Sequence, residues 1–119
     1  NTLGAGSVSR LGEIVNLFLE DTPRQVEAIR QAAEAEDWKT ARRLTHTLKS
    51  SCRNLGAPAA AEALAQMEAL ASQLEHQEPQ ADPAVFHQQL QQLQASLPDL
   101  LTQMAHLRDQ LGLNPSANE

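Results

Sequence analysis

At 119 residues the chain is one domain's worth, long enough to bury a core of its own. Fifteen acids against nine basic residues give a net charge of −6, which excludes an extended phosphate-backbone binder, and one cysteine excludes an internal disulfide and fits a reducing compartment. No apolar run approaches the roughly 20 residues needed to span a bilayer and no secretory signal is visible; few aromatics beside abundant Ala, Leu, Gln and Glu are helix-forming composition, so no sheet is expected.

Residues 1–8 are small, Gly-rich and patternless, and read as linker or cloning remnant outside the fold. From Ser9 a short first helix is expected, burying Leu11, Ile14, Val15 and Phe18 and stopping before Pro23, because the residue preceding a proline disfavours the helical region. Thr22-Pro23-Arg24-Gln25 then carries the marks of a helix start: a Thr cap, a Pro in the first turn and a Gln to complete a capping box. The second helix runs to about Glu36 with Val26, Ile29 and Ala33 inward. Asp37 caps the third, which Gly56 ends in a left-handed stop followed by Pro58.

A fourth helix carries Leu64, Met67, Leu70 or Ala71, and Leu74 before breaking at Glu78-Pro79. Asp82-Pro83 opens the last one, whose stripe of Phe86, Leu90, Leu93, Leu97, Leu100, Met104, Leu107 and Leu111 alternates steps of four and three. Pro98 is expected to kink or restart it, with Ser96 available to cap the restart. A coiled-coil dimer seam would use the same steps, but a proline-broken helix beside Ala-rich neighbours favours an intramolecular core. The expected fold is all-α: an antiparallel up-down-up-down four-helix bundle with a short additional N-terminal helix as a lid, over residues 9–112, and a frayed tail over 113–119.

The third helix holds the chemistry. Wound at about 100° per residue, it places Leu44, Leu48, Ser51 and Leu55, with Ala41, on a core-facing stripe and His46 on the opposite side. Lys39, Arg42, Arg43, Lys49 and Arg53 fall within roughly 60° of the histidine's direction. Five of the nine basic residues thus ring one imidazole, in a segment from Asp37 to Gly56 whose one acid is Asp37. An imidazole is a neutral nucleophile near pH 7, and cations around it attract phosphoryl oxygens as charge builds on them. His76, His87 and His106 stand at no metal-ligand spacing and read as surface residues; no metal site and no cofactor are expected.

The run from His46 to Gly56 resembles the signature of histidine phosphotransfer (HPt) domains: a His, a Lys three on, a small residue after it, and a Gly ten after the His. Leu17-Phe18-Leu19-Glu20-Asp21-Thr22-Pro23 is similar to the ending of the first helix of such domains. The resemblance implies that His46 is the phosphorylated residue, that Lys49 stabilises the phosphoryl group, and that Lys39, Arg42, Arg43, Ser50 and Arg53 dock receiver domains of a response regulator or hybrid sensor kinase. The receiver's own pocket would hold the aspartate and a Mg²⁺ ion. Two positions depart from the pattern: Ser50 stands where Gly is common, and Arg53 where the residue is usually small. Thr45, Thr47 and Asn54 flank the site as further receiver contacts.

The function expected is relay of a phosphoryl group between receiver aspartates, by a cytoplasmic monomer that contacts neither nucleic acid nor membrane directly, whether free-standing or tethered to the inner membrane through a parent sensor kinase. Thr47 follows the histidine where kinase dimerisation domains place an acid, and no ATP-binding boxes are present, so the chain is not expected to act as a kinase. No carboxylate is expected on the His46 face to activate water, so a phosphohistidine there should not hydrolyse itself rapidly. The alternative is a helical docking scaffold that binds an acidic partner through the basic face without phosphate chemistry; a third reading is a kinase dimerisation domain.

Overall fold

The computed structural model describes residues 2–110, with side chains from Arg10 onward, and the expectations for Leu111, Gly112 and the tail lie outside them. Four helices follow one another: α1 (Thr2–Glu34), α2 (Trp38–Asn54), α3 (Pro58–Glu75) and α4 (Pro83–Gln110), with no strand among the described residues. Each helix packs against two others, α2 between α1 and α3 and α4 between α3 and α1. Connections of a few residues join consecutive neighbours, so the ring is antiparallel.

The expected short N-terminal helix and the one after it are a single helix. Val15, Phe18, Thr22, Val26, Ile29 and Ala33 are all buried, in steps of three and four that keep phase through Pro23. One continuous stripe requires one continuous helix. Pro23 is exposed, so its ring stands on the solvent side, and the hydrogen bond it cannot make to Leu19 is outweighed by buried side chains on both flanks. Thr22 is therefore a core residue rather than a cap, and the segment expected as linker is helical from Thr2. Leu11 and Ile14, expected inside, are 41% and 45% exposed, because the stripe that packs runs through Val15 and Phe18.

The helix ends are built alike. The amide of Ala57 donates to the carbonyl of Cys52 (2.8 Å) and that of Gly56 to Arg53 (3.2 Å), with Gly56 at φ +73°. This is the Schellman arrangement. α1 ends the same way through Asp37 to Ala32 (2.9 Å) and Glu36 to Ala33 (3.1 Å), and α3 through Glu78 to Gln73 (3.0 Å) and Gln77 to Leu74 (3.2 Å). Glu36 and Gln77 hold the left-handed position at φ +56°, where a side chain is strained. Asp37 turns the chain from that stop into α2, its carboxylate accepting from the amide (3.2 Å) and hydroxyl (2.7 Å) of Thr40.

The core is lined by Ala61, Leu64, Met67, Ala71 and Leu74 of α3 and Phe86, Leu90, Leu93 and Met104 of α4; Ala71 is fully buried and Leu70 only partly. α4 continues through Pro98, and Ser96 donates to the carbonyl of Leu93 (3.0 Å) instead of capping a restart. Leu97 and Leu100 are half-buried, Met104 is buried and Leu107 is 40% exposed, so the stripe packs as far as Met104 and reaches an edge at Leu107. Cys52 is buried, which pushes its thiol up to about 11 and makes it a packing residue.

The helix ends give opposite expectations for glycine. Nothing lies within 4 Å of a Cβ added at Gly56, so Gly56→Ala should cost only the backbone conformation, about 1 kcal/mol. Glu36→Gly relieves the same strain and should raise stability by up to about 1 kcal/mol. Urea unfolding of the two variants should move the midpoint in opposite directions.

Candidate functional site

The buried stripe of α2 is Trp38, Ala41, Thr45, Leu48 and Cys52. It lies about 60° around the helix from the leucine stripe expected, with Leu44, Ser51 and Leu55 at its margin. Thr45, expected to face a partner, is fully buried, and its hydroxyl donates to the carbonyls of Ala41 and Arg42 (both 2.9 Å). A threonine whose hydroxyl is satisfied by its own helix packs as a methyl-bearing residue, which is why polarity misplaced the stripe.

This rotation leans one flank of the basic face against α3. Arg42 Nε lies 2.6 Å from Glu75 Oε2, and Lys49 Nζ lies 2.7 Å from Glu68 Oε1. The second oxygen of Glu68 sits 3.0 Å from Nδ1 of His46. An ionised carboxylate only accepts, so Nδ1 carries the hydrogen and, in the neutral ring, Nε2 carries the lone pair. The histidine is held at one nitrogen while its side chain remains 60% exposed; that of Lys49 is only 14% exposed. Lys49, expected to reach a phosphate, is directed at Glu68.

Partial burial pushes the Glu68 carboxyl up, but hydrogen bonds from Lys49 and His46 and their charges outweigh it, so the net displacement is downward. The hydrogen bond from Arg42 likewise holds Glu75 below the usual carboxylate range, against a smaller opposing effect of burial. Five cations do not therefore act together on His46. Two are neutralised by α3, while Lys39, Arg43 and Arg53 are exposed and form no ion pair among the described residues.

Two hollows flank the histidine. An open basin of about 660 Å³ is lined by Asp37, Lys39, Thr40, Arg42, Arg43, His46 and Glu68. Beyond the C-terminal half of α2 lies a smaller groove of about 190 Å³ against α1, with Ile14, Leu17 and Phe18 on one side and Ser51, Asn54 and Leu55 on the other. Leu17 is 56% exposed there, and the buried hydroxyl of Thr22 lines the groove without a hydrogen-bond partner. Ser50, between the two hollows, turns its hydroxyl back onto the carbonyl of His46 (3.1 Å) and Thr47 does the same onto Arg43 (3.1 Å).

Sequence reasoning missed Glu68, twenty-two residues away on another helix. One signal was present: Glu68 and Glu75 are seven apart, as are Arg42 and Lys49, which suits two charge pairs across antiparallel helices. His76 is exposed with Nδ1 2.7 Å from the carbonyl of Ser72, and His106 is exposed. His87 is half-buried rather than at the surface, its ring 6.5 Å from that of Trp38. Among the described residues no group of three His, Cys, Asp or Glu side chains is placed to hold a metal ion, and no helix is long and apolar enough to cross a membrane.

A four-helix ring presenting an anchored, solvent-facing histidine on one helix defines the chain as a bundle of the histidine phosphotransfer class. The family model described as Hpt domain matches residues 13–103, and the chain belongs to that family. Comparison with curated proteins and with solved structures gave no match. Hpt domains take part in histidine phosphotransfer within phosphorelays and interact there with receiver domains.

Glu68→Gln tests the anchor. It leaves the largely covered Lys49 without its counter-charge, at an expected cost of about 1–2 kcal/mol at pH 7, between the values for exposed and buried pairs. The Glu68 carboxyl is held below its ordinary 4.5, so its contribution is complete above that value and is lost as pH falls through the lower folded value. The stability difference between wild type and Glu68→Gln should shrink as pH falls below 4.5 in urea titrations.

Proposed function

We propose that His46 is the phosphoacceptor of a relay between receiver-domain aspartates. The observation that carries this reading is the pairing of a 60% exposed imidazole with a carboxylate 3.0 Å from its Nδ1. Glu68 fixes the tautomer, so in the neutral ring the lone pair lies on Nε2, the nitrogen turned away from the carboxylate. Nε2 attacks phosphorus of the acyl phosphate in line; the P–N bond forms as the bond from phosphorus to the aspartyl oxygen breaks, and the electron pair leaves on the receiver's carboxylate. Positive charge that develops on the ring is stabilised by Glu68 through Nδ1–H. Reversal of the same steps delivers the group to a second aspartate.

Lys49 acts through Glu68 in the resting site and is one turn from His46, near enough for its charge to be shared with phosphoryl oxygens when they arrive. Lys39, Arg42 and Arg43 border the basin in which the acidic rim of a receiver would sit. Ser50 offers little bulk beside the histidine because its hydroxyl is turned inward.

The apolar part of the docking surface is the groove between α1 and α2, a contact the basic-face expectation omitted. Leu11, Ile14 and Leu17 extend it along α1 with 41%, 45% and 56% exposure.

Transfer of labelled phosphate from a phosphorylated receiver tests the reading. Wild type should become labelled, acid should remove the label, and His46→Gln should take up none. Glu68→Ala should keep the label on His46 but lower the transfer rate about tenfold to a hundredfold, as expected when a group orienting a nucleophile is removed. Equal labelling of wild type and His46→Gln would overturn the assignment, and binding of receivers without labelling of either protein would favour a docking scaffold.

A further inference from the structure

The cations of α2 fall into two sets. Arg42 and Lys49 are engaged by α3, whereas Lys39, Arg43 and Arg53 are exposed with no ion pair among the described residues. Lys39 and Arg43 lie N-terminal to His46, on the rim of the basin. Arg53 stands alone on the other side, about 10 Å along the helix and about 20° around it from the histidine. Ser51 and Asn54, at the same height on the α1 side of the helix, line the apolar groove. Arg53 thus shares the histidine's own face, and a partner seated on His46 that extends over the C-terminal half of α2 lies across it.

A guanidinium cannot shed its proton, so it cannot be neutralised when covered. A partner with a carboxylate at that point makes a paired, bidentate contact; a partner with an apolar group leaves a desolvated charge, and one with a base adds repulsion. From this unpaired guanidinium on the histidine's own face, about two turns along α2, we infer that Arg53 is a specificity-determining residue. It selects receivers that present a carboxylate about 10 Å from the phosphoryl group and rejects those that present a base there. The inference rests on the relay reading above. A local role is also open to a base in the last turn of α2, favourable contact with the helix terminus, but that would act alike on every partner.

The test uses receiver domains loaded from acetyl phosphate, each with a set of variants in which one carboxylate around the phosphoaspartate is changed to Lys. Transfer to wild type, Arg53→Glu and Arg53→Gln is compared as kcat/KM, beside circular dichroism melts. One receiver carboxylate should stand out: its change to Lys should lower transfer to wild type tenfold to a hundredfold and restore transfer to Arg53→Glu. Arg53→Gln should discriminate between the two receiver forms less than wild type does, with the fold intact. Affinities for the same receivers, measured by calorimetry in the His46→Gln background with and without Arg53→Glu, should show the same exchange.

The inference is overturned if no receiver variant separates wild type from Arg53→Glu, or if Arg53→Glu lowers transfer from every receiver by one common factor. Either result leaves the relay intact, because wild type is still labelled. Failure of every receiver to label wild type overturns the relay reading and this inference together.

Discussion

The rotational phase of α2 is the constraint on which the site depends. Burial of Trp38, Ala41, Thr45, Leu48 and Cys52 leaves one orientation for the helix between its neighbours, and that orientation carries Lys49 and Arg42 to α3. A turn of about 60° toward the leucine stripe would point Lys49 away from α3 and free the imidazole from Glu68. The histidine's orientation thus follows from a hydrophobic choice made elsewhere on the same helix. Thr45 is central to it, because its hydroxyl is satisfied within α2 and its remaining surface packs.

Much of the architecture could be read from the chain because its punctuation is local. Asp37, Gly56, Pro58 and Asp82 mark helix ends through their own backbone preferences, which need no knowledge of the rest of the fold. Pro23 shows the limit of such reasoning. Its local preference is for a break, but the burial of Phe18, Thr22 and Val26 along one stripe is worth more than one lost hydrogen bond. The left-handed ends at Glu36 and Gln77 were equally opaque, since neither is glycine.

The site was legible in the same uneven way. His46 and its free cations are visible because they share one helix, where spacing gives direction. Glu68 is not, because pairing across helices depends on the phase of both partners and on their register. The apolar groove was hidden for a related reason: Leu11 and Ile14 are helically spaced with Val15 and Phe18, and only the packed structure decides which two go inside. An acidic chain with a basic face also suggested a stronger positive field than exists, since Glu68 and Glu75 return two of the five charges to neutrality.

Trp38, the chain's one tryptophan, gives the molecule a built-in optical label. It opens the helix that bears the histidine, is 9% exposed, and meets the ring of Phe86 edge-on at 5.2 Å. Loss of the contact between α2 and α4 would wet the indole and shift its emission, while the apolar groove at Ser51, about 20 Å further along the helix, can be covered without disturbing it. Fluorescence of the unlabelled protein therefore separates loosening of the bundle from occupation of its surface.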